Sequence, residues 1–211
     1  MRSVPYPVGM QIVIFAGGID PSDLGTMPDD AFVIAADSGL DIARRHGVAV
    51  DLLIGDLDSV SKDALNQAPE TLRFPVDKDE TDLELAIDRA RSMGVTSLLV
   101  IGGAGGRMDH FLANVSLLAS LDGVHVEWRT GSGTLFRVNG SLRLAGTPGE
   151  IVSLLVFGDS ARGVRTTGLR WRLDNEDLLS GSTRGVSNAF IDDTALVSLD
   201  EGNLMAVLPE R

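Results

Sequence analysis

Ser97-Leu98-Leu99-Val100-Ile101-Gly102-Gly103-Ala104-Gly105-Gly106-Arg107-Met108-Asp109-His110 is an apolar run that passes through a loop of glycines into a polar helix start. A strand handed to a helix in this way is the repeating unit of α/β domains. The loop is not a Walker A sequence, because Gly-Lys-Ser/Thr occurs nowhere in the chain, and its glycines are not spaced as G-x-G-x-x-G. It is still a place where backbone N–H groups can cradle phosphate. Arg107 supplies a fixed cation beside it, able to clamp a phosphate oxygen. A plainer reading is a tight turn with Asp109 as the helix N-cap. His110 reads as structural, since no partner His or Cys stands at a ligand spacing.

The same alternation extends in both directions. Strands are expected at Gln11–Ala16, Phe32–Ala36, Leu52–Ile54, Thr71–Phe74, Ser97–Ile101 and Val124–Trp128, and helices at Leu40–His46, Lys62–Gln67, Asp82–Met93 and His110–Leu121. The third helix is the clearest. Leu83, Ile87, Ala90 and Met93 recur at helical spacing, and Thr81-Asp82-Leu83-Glu84 is a capping box at its start. Beyond about Arg129 the helical pattern stops, and strand-like runs are separated by Gly, Pro-Gly and Asn-Gly. Arg137-Val138-Asn139-Gly140-Ser141 is a hairpin signal. The fold class expected is α/β: an N-terminal mostly parallel sheet flanked by helices over residues 1–130, followed by an all-β sandwich domain over residues 131–211.

At 211 residues and 44% apolar composition the chain can bury a proper core. The absence of cysteine removes disulfides, thiolate zinc sites and cysteine nucleophiles, and suits a reducing cytoplasm. Met1–Met10 has no apolar signal region, and no stretch approaches the roughly 18 apolar residues of a membrane span, so neither export nor membrane insertion is expected. A net charge of −12 repels nucleic acid and anionic lipid; a polyanionic substrate would need a cation as intermediary. Of the 30 acidic residues 22 are aspartates, the residue that favours caps, turns and metal sites over helix interiors.

In an open α/β sheet ligands bind outside the carboxyl ends of the strands. Four of the six expected strands end in acidic or glycine-rich loops: Asp37-Ser38-Gly39, Gly55-Asp56-Leu57-Asp58-Ser59, Asp77-Lys78-Asp79-Glu80-Thr81-Asp82 and the loop already quoted. From an extended backbone Asp56 and Asp58 point the same way, as a hard cation such as Mg²⁺ requires; the alternative is that Asp58 caps a helix near Ser61. Thr81, Asp82 and Glu84 are explained by the helix start, but Asp77 and Asp79 beside them are not. Four acids in six residues repel unless they are solvated or share a cation. In the C-terminal part, Trp171 of Gly168-Leu169-Arg170-Trp171 reads first as a core or interface side chain and second as a stacking surface for a flat or cationic ligand. Ser187 and Asn188 are able to hydrogen-bond a heteroaromatic edge.

Ala36-Asp37-Ser38-Gly39, Gly55–Ser59, Asp79–Glu84, Gly106–His110 and the late Gly-Leu-Arg-Trp and Ser-Asn elements, in this order and over nearly the whole chain, resemble the thiamine pyrophosphokinase family. The resemblance implies an N-terminal catalytic domain, a C-terminal β-sandwich that binds thiamine, a homodimer with active sites at the subunit interface, and Mg²⁺-dependent conversion of ATP and thiamine to thiamine diphosphate and AMP. Carried over by motif, Asp56, Asp58 and Asp82 are the implied Mg²⁺ ligands and, with Asp109, the catalytic acids. Asp37, Asp79, Thr81 and Arg107 are implied on the ATP phosphate side, and Trp171, Ser187 and Asn188 at thiamine. Val186 departs from the pattern, standing where a small polar residue is expected.

Two other readings compete. Leu52–Val60 also resembles the first motif of haloacid-dehalogenase phosphatases, but the lysine that class needs downstream is missing: the only lysines, Lys62 and Lys78, lie close to the motif. A non-catalytic ligand sensor on the same scaffold would be expected to have lost the acidic cluster, which is intact.

Overall fold

A computed structural model describes residues 9–65 and 70–210. In chain order the strands and helices are β1 (Met10–Ala16), β2 (Phe32–Ala36), α1 (Gly39–Arg45), β3 (Leu52–Gly55), α2 (Lys62–Leu65), β4 (Glu70–Arg73), α3 (Asp82–Ser92), β5 (Val95–Gly102), α4 (Met108–Ala119), β6 (His125–Thr130), β7 (Gly133–Val138), β8 (Ser141–Ala145), β9 (Ile151–Thr167), β10 (Asp174–Leu179), β11 (Asn188–Ala189), β12 (Thr194–Ser198) and β13 (Glu201–Pro209). The expected elements of the first part are all present, with no end among the described residues shifted by more than two residues. The last two residues of the expected helix Lys62–Gln67 lie outside the described residues. The chain forms two compact units: residues 9–117 with 128–131, and residues 118–127 with 132–210.

The first unit is an α/β domain. Its strands run β4-β3-β2-β1-β5, and each is paired in parallel with its neighbours in that order. Ile12, Val13, Ile14 and Phe15 of β1 are fully buried, because a central parallel strand has both faces covered. Burying one such side chain contributes about 2 kcal/mol. At the edge, β4 carries Glu70 and Arg73 exposed, which protects an open strand from unwanted pairing. The register decides where chemistry can sit. Ala16 pairs with Ala36 and with Gly102, and Ala36 with Ile54, so the carboxyl ends of four strands fall in one line and their loops emerge along one edge.

Helix α3 packs Leu83, Ala86, Ile87 and Ala90 inward. It is capped as the sequence indicates, by Thr81 Oγ1 accepting from the Glu84 N–H at 3.2 Å, a cap worth about 1 kcal/mol. The short α2 is headed by Ser61, whose Oγ accepts from the Ala64 N–H at 3.3 Å; Asp58 does not cap it. Asp109 is not an N-cap either, since it lies within the first turn of α4. No helix among the described residues is long and apolar enough to cross a membrane.

The second unit is built of antiparallel strands in the order β7-β13-β9-β12-β8, with β10 and β11 also pairing to β9. β8 and β12 alternate in the expected period of two, with Leu142, Leu144, Ala195 and Val197 buried. They join Phe136, Leu154, Phe190 and Leu204 in one core. The hairpin expected at Arg137–Ser141 is corrected here. Asn139-Gly140 does make the turn, with the Ser141 N–H bonded to the Asn139 carbonyl at 2.8 Å, but β7 pairs with β13 and β8 with β12. Phe136, Val138, Leu142 and Leu144 all face the same core. The turn therefore carries the chain to a different neighbour, because burying four apolar side chains outweighs a short two-stranded ladder.

Candidate active site

A cleft of about 760 Å³ opens at the carboxyl edge of the first unit, lined by the loops after β1, β2, β3 and β5 and by the segment leading into α3. It lies beside the point where the chain leaves β1 in one direction for β2 and later returns on the other side as β5, the place where α/β sheets hold their ligands. The loops there are bonded to one another: the Gly103 N–H donates to the Gly17 carbonyl at 2.7 Å and the Ile19 N–H to the Ala104 carbonyl at 2.8 Å. Asn114 Nδ2 and Trp128 Nε1 donate to the Gly103 and Gly102 carbonyls at 2.9 and 2.6 Å, fixing the glycine loop from α4 and β6. Part of the phosphate cradle read from the glycines is thus committed to the fold.

The acidic loops are shaped by left-handed backbone. Asp37 has φ 47° and Leu57 has φ 68°. The turn at Leu57 corrects the extended Asp-x-Asp geometry inferred from spacing. It drops the Leu57 side chain into a core with Ala35, Leu40, Leu53, Val60 and Ala64, while the Asp58 N–H turns onto Asp56 Oδ1 at 3.1 Å. A bulky residue held there costs about 1 kcal/mol or more, which the burial offsets. Carboxylate oxygens of Asp37, Asp56 and Asp58 come within 4.8 Å of one another. Gly55 sits behind them; a Cβ on it would stand 3.2 Å from both Asp37 Cβ and Asp82 Oδ1.

Asp82 lies outside this trio. Its Oδ1 faces Lys78 Nζ at 3.1 Å, and the same ammonium reaches Asp56 Oδ2 at 3.4 Å. Asp79, Thr81 and Arg107 line the cleft as the sequence suggested, and so do His110, Ser38, Ser59 and Asn114. Asp109 is turned away to Arg107, with Nε–Oδ1 at 3.1 Å and Nη2–Oδ2 at 2.5 Å. The Arg107 hydrogen bond holds the exposed Asp109 carboxyl down at about 2.

Asp37 is the outlier. Burial, then repulsion from Asp82, Asp56 and Asp58, pushes its carboxyl up to about 6, against a counter-pull from the Ser38 N–H. Ser59 Oγ donates to its Oδ2, but Oδ1 is buried with no hydrogen-bond partner among the described residues. An all-oxygen trio holding one unsatisfied buried oxygen fits a hard divalent cation.

A stability prediction follows for the metal-free protein. Folded Asp37 keeps its proton up to about pH 6, whereas the unfolded carboxyl releases it near 3.8, so stability is lost as pH rises through that window. Two pH units set an upper bound of about 3 kcal/mol, reduced to about 1 kcal/mol by water in the open cleft. Asp37→Asn should therefore melt about 2–4 °C above the parent at pH 7.5 in chelator, with no gain at pH 4. An equal gain at both pH values would remove the ionised carboxylate as its cause.

In the second unit Asn188 is 3% exposed and its amide is spent locally. Oδ1 accepts from the Trp171 and Ala189 N–H groups at 3.0 and 2.9 Å, and Nδ2 donates to the Trp171 carbonyl at 2.8 Å. These bonds position Trp171. Trp171 is 48% exposed, with Arg170 Cζ 5.0 Å above its ring centroid. Ser187, at φ 58°, is exposed on the neighbouring turn.

Residues 26–128 match the family model described as thiamin pyrophosphokinase, catalytic domain, and residues 141–204 that of thiamin pyrophosphokinase, vitamin B1 binding domain. The thiamine pyrophosphokinase of Bacillus subtilis is 27% identical over 213 residues, covering 93% of this chain and 97% of that protein. Thiamine pyrophosphokinase 1 of rice is 25% identical over 71% of this chain and 62% of its own length. Among solved structures, the thiamin pyrophosphokinase of Geobacillus thermodenitrificans superimposes with a TM-score of 0.79 at 27% identity, covering 96% and 98% of the two chains. The Bacillus subtilis structure gives 0.84 at 24% identity over 95% and 99%.

Proposed function

The chain belongs to the thiamine pyrophosphokinase family, and from that premise we propose that the acidic cleft of its α/β unit is where ATP is activated and the Trp171 face is where thiamine docks. The protein transfers the pyrophosphoryl group of ATP to thiamine, giving thiamine diphosphate and AMP. The thiamine hydroxyl oxygen forms a bond to the β-phosphorus as the bond to the α-phosphate oxygen breaks, and the hydroxyl proton leaves. The observation that carries the assignment of the cleft is the convergence of Asp37, Asp56 and Asp58 around a buried, unsatisfied oxygen.

In this reading Asp56, Asp58 and Asp37 would hold Mg²⁺, with Asp82 beside them. When bound, the ion neutralises phosphate charge and aligns the reacting phosphoryl group. The chain's residues do the rest by position. Arg107, oriented by Asp109, offers its remaining N–H donors to phosphate at the rim, and the Thr81 hydroxyl proton is free to point outward because its oxygen already serves as the helix cap. Asp79 adds to the negative field that draws a cationic vitamin. In the second unit Trp171, held by Asn188 and flanked by Ser187, supplies a flat electron-rich face to the thiazolium and pyrimidine rings. Residues 1–130 are accordingly the catalytic domain and 131–211 the thiamine-binding domain of this proposal. A homodimer and a cytoplasmic location complete it; light scattering of the purified protein tests the former.

The deciding experiment incubates purified protein with thiamine, ATP and Mg²⁺ and identifies products. AMP with thiamine diphosphate supports the reading. ADP with thiamine monophosphate, phosphate release without thiamine, or no thiamine-dependent turnover overturns it. Trp171→Ala should raise the KM for thiamine about tenfold, in line with the roughly 1–2 kcal/mol of a stacked cation, and change kcat less than threefold. An unchanged KM would place thiamine elsewhere.

A further inference from the structure

Lys78 is the one lysine in the cleft and the residue that sequence reasoning passed over. Its side chain is only 11% exposed, and its ammonium lies between carboxylates from two different loops, 3.4 Å from Asp56 Oδ2 after β3 and 3.1 Å from Asp82 Oδ1 at the head of α3. This is a costly place for a cation: the ammonium loses most of its water and faces the positive end of a helix.

Two further facts give the placement a purpose. Asp56 is held on both oxygens, Oδ1 by the Asp58 N–H at 3.1 Å and Oδ2 by Lys78, so it is aimed before any ligand arrives. Asp56 also belongs to the trio that fits a divalent ion, whereas Asp82 does not. A cation entering the trio therefore meets a competitor already attached to one of its ligands. A lysine head on a flexible four-carbon stem can leave Asp56, as a rigid guanidinium fork could not.

We propose that Lys78 is a tethered counter-cation that makes metal entry conditional on the nucleotide. Resting on the assignment of the cleft to ATP, the inference has three parts. In the free protein the ammonium neutralises Asp56 and Asp82 and weakens binding of a bare divalent ion. When the ion arrives carrying a nucleotide, the ammonium exchanges Asp56 for a phosphate oxygen and keeps Asp82 as its anchor. The same side chain thus opposes one ligand and favours the complex of two.

The opposite signs provide the test. Lys78→Met and Lys78→Arg are compared with the parent by calorimetric titration, first with Mg²⁺ or Mn²⁺ alone, then with the Mg²⁺ complex of α,β-methylene-ATP, in which the bond to be broken cannot cleave. Lys78→Met should bind the bare ion about thirtyfold more tightly, the factor that a unit charge about 4 Å from a divalent ion carries in a watery cleft. It should bind the metal–nucleotide complex about tenfold more weakly, as loss of a charge-assisted hydrogen bond to phosphate requires. Lys78→Arg should stay near the parent for the bare ion and lose affinity for the complex. A change of the same sign for both ligands in Lys78→Met would make Lys78 a structural ion pair and overturn the proposal, as would bare-ion binding that does not change. If the parent binds neither ligand while folded, the assignment of the cleft to ATP falls first. Circular dichroism of each variant separates loss of folding from loss of binding.

Discussion

Asp56→Asn is expected to lower kcat by about 10³-fold while the protein stays folded, the scale at which removing one fixed charge-stabilising group acts on a developing transition state. The asparagine oxygen can still accept from the Asp58 N–H at 3.1 Å, so the left-handed turn at Leu57 and its buried side chain have no reason to move. What disappears is one negative charge from the trio with Asp37 and Asp58, together with the second anchor of Lys78, which keeps Asp82. Steady-state kinetics and a thermal melt on the same preparation check this, and the melting point should change by no more than a few degrees. Should the variant instead unfold, with its residual activity tracking the folded fraction, Asp56 is a strand terminator and the catalytic centre lies elsewhere.

Gly39→Ala carries the largest expected effect on stability. A Cβ at this first residue of α1 would stand 2.0 Å from the Phe15 carbonyl oxygen, 2.5 Å from its carbon and 2.9 Å from the Ala16 nitrogen. These are backbone atoms of the central strand, so no side chain can swing aside, and either α1 lifts off or β1 shifts within a parallel ladder paired on both sides. The cost is about 3 kcal/mol or more, at the upper end for overpacking, and the melting point should fall by roughly 6–12 °C. Asp37 stands two residues away, so activity in the remaining folded fraction should fall as well. A melting point within a degree of the parent would show that the helix tolerates a wider separation from the sheet than the structure describes.

Most of the first unit was legible because its signals are local. Strand β1 is a continuous apolar run, α3 announces its start through Thr81 and Glu84, and parallel pairing then brings the loops to one edge without further information. The site was legible as a set of loops but not as a constellation. Left-handed backbone stands at both Asp37 and Leu57, at Leu57 with its side chain in the core, and the loops so shaped bring Asp37 to Asp56 and Asp58 and leave Asp82 to Lys78. Lys78 was weighed in the sequence only as a lysine too close to the first motif for a phosphatase, since only the fold brings Asp56 across to it. Arg129, which donates to the Thr26 carbonyl at 2.8 Å, and Arg137, which donates to the Ala119 carbonyl at 2.8 Å, are buried in the same unannounced way.

The second unit hid its architecture for a different reason. Gly158 and Gly163 read as interruptions, yet both lie inside the single strand β9, where irregular register against β13 and β10 absorbs the extra residues. Pairing partners far apart in sequence decided the rest, including the parting of β7 from β8 at Asn139-Gly140.

Strand β13 sits between β7 and β9, bonded to both along most of its length. On a ribosome that order has a consequence. Until residues 201–209 have left the exit tunnel, the two strands that should flank β13 face each other across a missing rung, each with a row of open N–H and C=O groups. The unit cannot close as it is made and must wait, aggregation-prone, for its last-delivered strand. A stop codon before position 201 would then be read by the cell's proteases as a chain with no finished second half.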